Sequence, residues 1–586
     1  MRIKLSLSVG IVILALASVS APPAIGATEN PVGPPGFQAD IEGAPFESGQ
    51  SAAGRFLAAR HAHSVGNLVA AADLIAGVLA EVSSSEAMQR RAHLLMVGAG
   101  RFEEAASVAD RLFGASPNDA LIVYTLIVRA LQRDDYARAV ELLEGISGSG
   151  VNAIIALLLE AWSLAGQGRA AEGVAALDTM SQNVGLAQVV GFHQALIADF
   201  GGDIDGAELA FRRALDASDG RPSLQLVDAF ARFLVRIERR EEAAGLVNGF
   251  VNRNPQTLLI EPVKAVVEGR AAPDPHIGDV RLGVSKVFSN VASLHNRKHL
   301  PTEAMLFTRM ALGLAPNNAS ARFSLAQLLE ARDREDLAIE TYEKIDANSP
   351  YRWYARLRIA DAMHARGESE QALSLLRAMA AERPGRTDAA RAMADLLRMT
   401  QRFEEAIDAY DLVIERLDGE PDWGLFYSRG ISLERAKHWG RAERDFLKAL
   451  ELSPDQPLVL NYLGYSWVEQ GVKLERAKGM IEIAVEKRPR DAYITDSLGW
   501  VLYRLGDYVT AVVHLETAVA LEPGDPIIND HLGDAYWVVG RKLEARFQWL
   551  RALSLKPESD VEMQIRLKLN GKKMPEPMLP RKKRGI

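Results

Sequence analysis

The sequence predicts an all-α fold, an α-solenoid of about 14 helix-turn-helix repeats, on three observations that share one period. A small residue recurs every 34 positions, a second small residue follows each of these by twelve, and a proline often closes the cycle. The first column runs Ala59, Ala161, Ala195, Ala231, Ala292, Ala326, Ala360, Ala394, Gly430, Gly464, Gly499 and Gly533, with His93 and Ile127 in the two remaining slots. The second runs Ala71, Ala105, Ala139, Gly173, Ala207, Ala243, Ala304, Ala338, Ala372, Ala406, Ala442, Ala511 and Ala545, with Ala477 displaced by one. Two antiparallel helices approach closely where both carry small side chains, and larger apolar residues fill the space around the crossing. Prolines such as Pro316, Pro454, Pro489 and Pro523 lack a backbone donor and stop the second helix. A single hairpin leaves one face uncovered, so such repeats stack and stability becomes a sum over neighbouring interfaces.

Taken in chain order, Arg2 and Lys4 precede an apolar run from Leu5 to Val19, then Pro22 and Pro23 and the small-residue site Ile25-Gly26-Ala27. This is the pattern of a signal peptide, so residues 1–27 are expected to be removed on export and the mature chain to be periplasmic. The run is shorter than the roughly 20 residues a spanning helix needs, and no second candidate span follows it. Residues 28–51, rich in proline and glycine without apolar spacing, form a disordered leader. About six repeats occupy 52–257. Between Ala231 and Ala292 the period slips by 27 residues beyond one repeat, with Pro262, Pro273 and Pro275 inside the extra stretch, so 258–284 reads as an irregular connector or a degenerate helix pair. About eight further repeats occupy 285–558. In 559–586, Val561, Ile565 and Leu569 recur four apart as a capping helix, followed by the basic tail Lys572, Lys573, Arg581, Lys582, Lys583 and Arg584.

The segments Tyr493-Ile494-Thr495-Asp496-Ser497-Leu498-Gly499-Trp500-Val501-Leu502-Tyr503-Arg504-Leu505-Gly506-Asp507-Tyr508 and Asp530-His531-Leu532-Gly533-Asp534-Ala535-Tyr536 resemble the tetratricopeptide-repeat (TPR) family, and the repeat spacing extends the resemblance over residues 52 to 558. The resemblance implies a right-handed superhelix whose concave face is lined by the first helix of each hairpin. It also implies that residues three before and one after the small residue point into the groove. In this chain that gives one row of Tyr427, Asn461, Asp496 and Asp530, a second of Ile431, Tyr465, Trp500 and Asp534, and a third of Glu434, Val468, Tyr503 and Trp537. Aromatic rings beside Asn and Asp suit capture of an extended peptide, while the alternative is that Trp500, Tyr503 and Trp537 pack between repeats. The C-terminal run is also similar to envelope TPR proteins of Gram-negative bacteria, including lipid-anchored adaptors for carboxyl-terminal processing proteases. This chain has no cysteine to carry such an anchor, so that attachment and that partnership are not carried over.

Composition narrows the function classes. A net charge of -8 offers nucleic acid no general attraction. The absence of cysteine removes disulfides, thiolate metal sites and thiol nucleophiles. No phosphate loop, nucleophile elbow or H-E-x-x-H motif is present, and His295 and His299, four apart, lack a third ligand. No cofactor, no metal and no catalytic residue is therefore expected. The leading reading is a non-enzymatic scaffold or adaptor of the bacterial cell envelope that binds proteins or peptides in its groove, such as an envelope protease or an assembly complex. A module for cell-wall polymer is the alternative, since Trp, Tyr and Asp also suit saccharides. An enzyme using groove carboxylates is the third.

Overall fold

A computed structural model describes residues 51–575 apart from 82–84, 147–149, 182–186, 255–256, 418, 420 and 573. The signal segment, the leader to residue 50 and most of the basic tail lie outside the described residues. Every regular element among them is a helix, and the chain is an α-solenoid of helix-turn-helix repeats. It divides into two compact units, residues 1–367 and 368–586.

In the first unit the hairpins are α1 (Ala52–Ser64) with α2 (Leu68–Glu81), α3 (Glu86–Ala99) with α4 (Phe102–Phe113), α5 (Ala120–Gln132) with α6 (Tyr136–Leu143), α7 (Val151–Gly166) with α8 (Ala170–Ser181), α9 (Ala187–Phe200) with α10 (Ile204–Asp216), and α11 (Leu224–Arg236) with α12 (Arg240–Arg253). The short α13 (Glu261–Val267) packs on α11 and α12. Then come α14 (Val280–Arg297) with α15 (Pro301–Leu314), α16 (Ala319–Glu330) with α17 (Glu335–Glu343), and α18 (Tyr351–Ala365). The second unit holds α19 (Ser369–Glu382), α20 (Asp388–Met399) with α21 (Phe403–Arg416), α22 (Trp423–Arg435) with α23 (Trp439–Leu452), α24 (Pro457–Glu469) with α25 (Leu474–Lys487), α26 (Ala492–Leu505) with α27 (Tyr508–Leu521), α28 (Pro526–Val538) with α29 (Lys542–Ser554), and α30 (Ser559–Leu569).

The turn inside each repeat has one backbone signature. A residue in the left-handed region stands at Gly66, Gly100, Asp134, Gly168, Gly202, Glu238, His299, Asp333, Gly367, Gln401, Lys437, Gly471, Gly506 and Gly540. The column keeps the 34-residue period because the first helix must end by reversing its backbone at the same place each time. Gly166 is the last residue of α7, and a methyl built on it would meet the Tyr136 ring at 2.6 Å. His299 lies beyond the end of α14 at φ 56°, so it shares no helix face with His295.

The units part at the turn between α18 and α19, and the stretch 258–284 lies within the first unit. The reason is that the chain turns back after it. The α14–α15 hairpin lies across the first helices of earlier repeats, α14 on α7 and α15 on α3 and α5. Gly283 and Gly313 permit the approach: a methyl on either would stand 2.7 Å from the Trp162 ring or 2.6 Å from the Phe102 ring. Tyr124 meets Phe288 and Phe307 with ring centroids 6.2 Å away in each case. Gln132 donates to the Gly313 carbonyl at 2.8 Å, and Arg309 Nε to the Gly98 carbonyl at 3.0 Å. The inner side of these early repeats is therefore core.

Candidate functional site

The second unit keeps an inner side of a different kind. Its hairpins cross at the small column: a methyl on Gly499 would lie 2.6 Å from Leu515 Cγ, and one on Gly533 2.5 Å from Trp549 Cδ1. Bringing first and second helices this close leaves the residues three before and one after each glycine along the seam between successive first helices, where α24 packs on α26 and α26 on α28. The starts of α26 and α28 are held by Asp491 and Asp525, whose carboxylates accept from the first free backbone N–H groups.

Tyr427 rests against Trp423, Phe446 and Tyr462, its hydroxyl pushed up to about 12 by burial. Tyr462 donates to Glu434 at 3.2 Å, while Val468 of the third row is buried outright. Asn461, half-buried on α24, has a buried side-chain oxygen with no hydrogen-bond partner. Tyr465 follows one turn later on the same face, its hydroxyl raised by burial and by Glu469 and Asp496.

Trp500 donates through its indole N–H to Glu469 at 2.7 Å. Its ring is closed on both faces, stacked on Tyr503 at 4.8 Å and 4° and on His531 at 4.0 Å and 11°. His531 Nδ1 donates to Asp496 at 3.0 Å. Burial works against a charge on this imidazole, but Asp496, by charge and by hydrogen bond, with Asp530 and Asp534 behind it, raises its pKa.

Asp530 and Asp534 share one ammonium group, that of Lys568 on α30, each at 2.8 Å. Asp534 also accepts from the Trp549 indole at 3.0 Å. Burial raises the Asp534 carboxyl to about 6 although Lys568 pulls it down, with Asp530 adding to the rise. Trp537 packs on Trp549 at 5.5 Å, with the Lys542 ammonium 5.1 Å over its ring.

The structure thus joins the candidates from Asp496 to Asp534 into one network and sets Tyr427, Asn461 and Tyr465 along its N-terminal extension. Tyr503, Asp496, Asp530 and Asp534 are buried and engaged with their own chain, whereas Tyr427, Asn461, Tyr465, Trp500 and Trp537 remain partly open to solvent. Sequence reasoning missed Glu469, His531 and Lys568. A signal for the last existed: Lys568 stands one period, 34 residues, after Asp534, so α30 occupies the place of a further first helix. Among the described residues no group of three or more His, Asp or Glu side chains is placed to hold a metal ion.

Two family models, both described as tetratricopeptide repeat, match this chain, one at residues 363–429 and the other at 307–352 and 498–560. The curated "TPR repeat-containing protein PA4667" of Pseudomonas aeruginosa is 30% identical over 112 residues, 19% of this chain and 19% of that protein, so the match spans about a fifth of the relative's length. The crystal structure of the APC/C hetero-tetramer Cut9-Hcn1 is similar at 16% identity and a TM-score of 0.36, over 84% of this chain and 98% of that one. YrrB, titled a TPR protein with an unusual peptide-binding site, is similar at 18% identity and a TM-score of 0.26, over 33% of this chain and 97% of that one.

Proposed function

We propose, from the premise that this chain is a tetratricopeptide-repeat protein, that its second unit holds partner polypeptides along the inner side of α22, α24, α26 and α28. Proteins built from these repeats generally mediate protein-protein interaction, and this chain is read as a scaffold or adaptor of the bacterial cell envelope, exported by its first 27 residues into the periplasm.

The observation that carries the reading is Asn461. Its buried side-chain oxygen lacks a donor, and leaving such an acceptor unmet costs about 1–3 kcal/mol unless a ligand or water supplies one. The backbone N–H of an extended peptide is a donor of the right kind, and the half-buried rings of Tyr427 and Tyr465 lie on the same row with apolar area. A saccharide stacked on Trp500 is disfavoured because Tyr503 and His531 already stack on its ring. Acid-base chemistry at Asp530 and Asp534 is disfavoured because Lys568 occupies both carboxylates.

Photo-crosslinking in cells tests the reading. A crosslinkable residue is placed at Tyr465 or Trp537, with and without Asn461→Ala, and adducts are identified by mass spectrometry. A discrete envelope protein captured at both positions and lost, by about tenfold or more, with Asn461→Ala is the expected result. Absence of any adduct from the folded protein would sink it.

A further inference from the structure

We propose that the second unit also docks on an anionic lipid surface, through the outer face of its last two complete hairpins. The second helices of this unit share a register. Ala372, Ala406, Ala442, Ala477, Ala511 and Ala545 are all buried at the crossing, and the positions two before and two after each lie on the opposite side of the helix. Those outward positions are Glu370 and Ser374 in α19, Glu404 and Asp408 in α21, Gly440 and Arg444 in α23, and Glu475 and Gly479 in α25. In α27 they become Val509 and Val513, and in α29 Leu543 and Phe547. Nothing in the repeat requires apolar residues there, since four preceding second helices do without them.

The five side chains Val509, Val513, Leu543, Phe547 and Leu550 are 75%, 57%, 67%, 61% and 52% exposed. Val509 and Val513 stand one period from Leu543 and Phe547, so the same outward register is apolar on both helices. Exposed apolar side chains repeated in one register of a folded chain mark an interaction surface. On the α29 wheel, Arg546 and Arg551 stand on either side of the apolar strip; both are exposed and bond to backbone carbonyl oxygens of Leu569 and Pro523 rather than to a carboxylate. Glu516, which takes the place of Leu550 in α27, and Glu544 are both paired with Arg541.

Apolar side chains between unpaired cations on helix backs are what a membrane interface with anionic headgroups accepts: the chains enter the acyl boundary while the guanidinium groups stay at phosphate level. The occupant to which this charge pattern commits is therefore lipid.

Co-sedimentation of the purified protein with vesicles of phosphatidylglycerol and phosphatidylcholine, against phosphatidylcholine alone, decides it. Binding is expected to the anionic vesicles only. Leu543→Ser with Phe547→Ser should weaken it by about tenfold or more, and Arg546→Glu with Arg551→Glu should weaken it at low salt, each with unchanged helical circular dichroism. The proposal is overturned if the protein stays in the supernatant with anionic vesicles, or if the Ser pair binds like the parent. It is equally overturned if sedimentation velocity shows a dimer that the Ser pair abolishes, because a second copy then covers the patch.

Discussion

The two units treat the inner side of the same repeat in opposite ways. In the first, the positions three before, one after and four after the small residue are Tyr124, Val128 and Leu131 in α5 and Leu158, Trp162 and Ala165 in α7, all buried and apolar, and α14–α15 covers them. In the second, the corresponding positions are Asn461, Tyr465 and Val468 in α24, Asp496, Trp500 and Tyr503 in α26, and Asp530, Asp534 and Trp537 in α28. These form a polar and aromatic row whose charges are met by His531 and Lys568 rather than by a folded-back hairpin. A repeat therefore specifies how its two helices cross, and leaves open whether its inner side is apolar and covered by another hairpin or polar and aromatic. Three side chains per repeat make that choice.

The largest way to break the comparison is Trp162→Ala. Removing this fully buried ring from under Gly283 is expected to cost the first unit about 3–5 kcal/mol. Hydrogen exchange should show lost protection across residues 280–314 and little change across 423–538. Equal loss in both regions would mean that the covering hairpin does not set the difference.

Next in size is Lys568→Met. It leaves Asp530 and Asp534 buried without their cation, at a cost of about 3 kcal/mol that detachment of α30 would partly relieve. Exchange within 559–569 should rise sharply while the first unit stays protected. Unchanged exchange there would show that the acid pair does not hold the helix.

pH separates the units by sign. His93 and His193 are held down to about 4 and about 3, mainly by burial, against an ordinary value of 6.5. The unfolded chain binds protons first, so the first unit should lose stability as pH falls from about 6.5 toward those values. Asp534 stands at about 6 against an ordinary 3.8, chiefly through burial, so there the native state holds the extra proton. That contribution is present at low pH and lost as pH rises through about 6. His531, raised above its ordinary value once Asp496 outweighs burial, acts in the same direction and is lost as pH rises through its folded pKa. Local exchange between pH 4 and 7 should therefore show opposite slopes, on the order of 1–3 kcal/mol, in α3–α9 and in α26–α30. Parallel slopes would remove the distinction.

The smallest effect should be the same in both regions. Asp134→Gly and Lys437→Gly each relieve a left-handed side-chain residue in a hairpin turn, and each is expected to stabilise by about 1 kcal/mol in urea denaturation. A gain in only one unit would show that the turns, too, have diverged.

The period, the hairpins and the capping helix were legible in the sequence because a repeat writes its crossing residues and its terminators at fixed intervals. The candidate row was legible in part. Asp496, Trp500, Asp530 and Asp534 could be named from one register, but their partners Glu469, His531 and Lys568 sit in neighbouring helices, and only Lys568 lay at a spacing that a column search detects. The same register read on α5 and α7 shows apolar residues at all three positions, a sign that their inner side is covered, though not by which segment.

By itself, then, the sequence determined an all-helical repeat protein and the place of each hairpin, since both follow from spacing along the chain. Only the tertiary structure decided that residues 280–314 fill the inner side of the early repeats, that Trp500 is closed between Tyr503 and His531, and that one lysine of α30 bonds two buried carboxylates. Those outcomes depend on contacts between segments tens to hundreds of residues apart, where shape and charge must match in space and no periodic signal along the chain records the match.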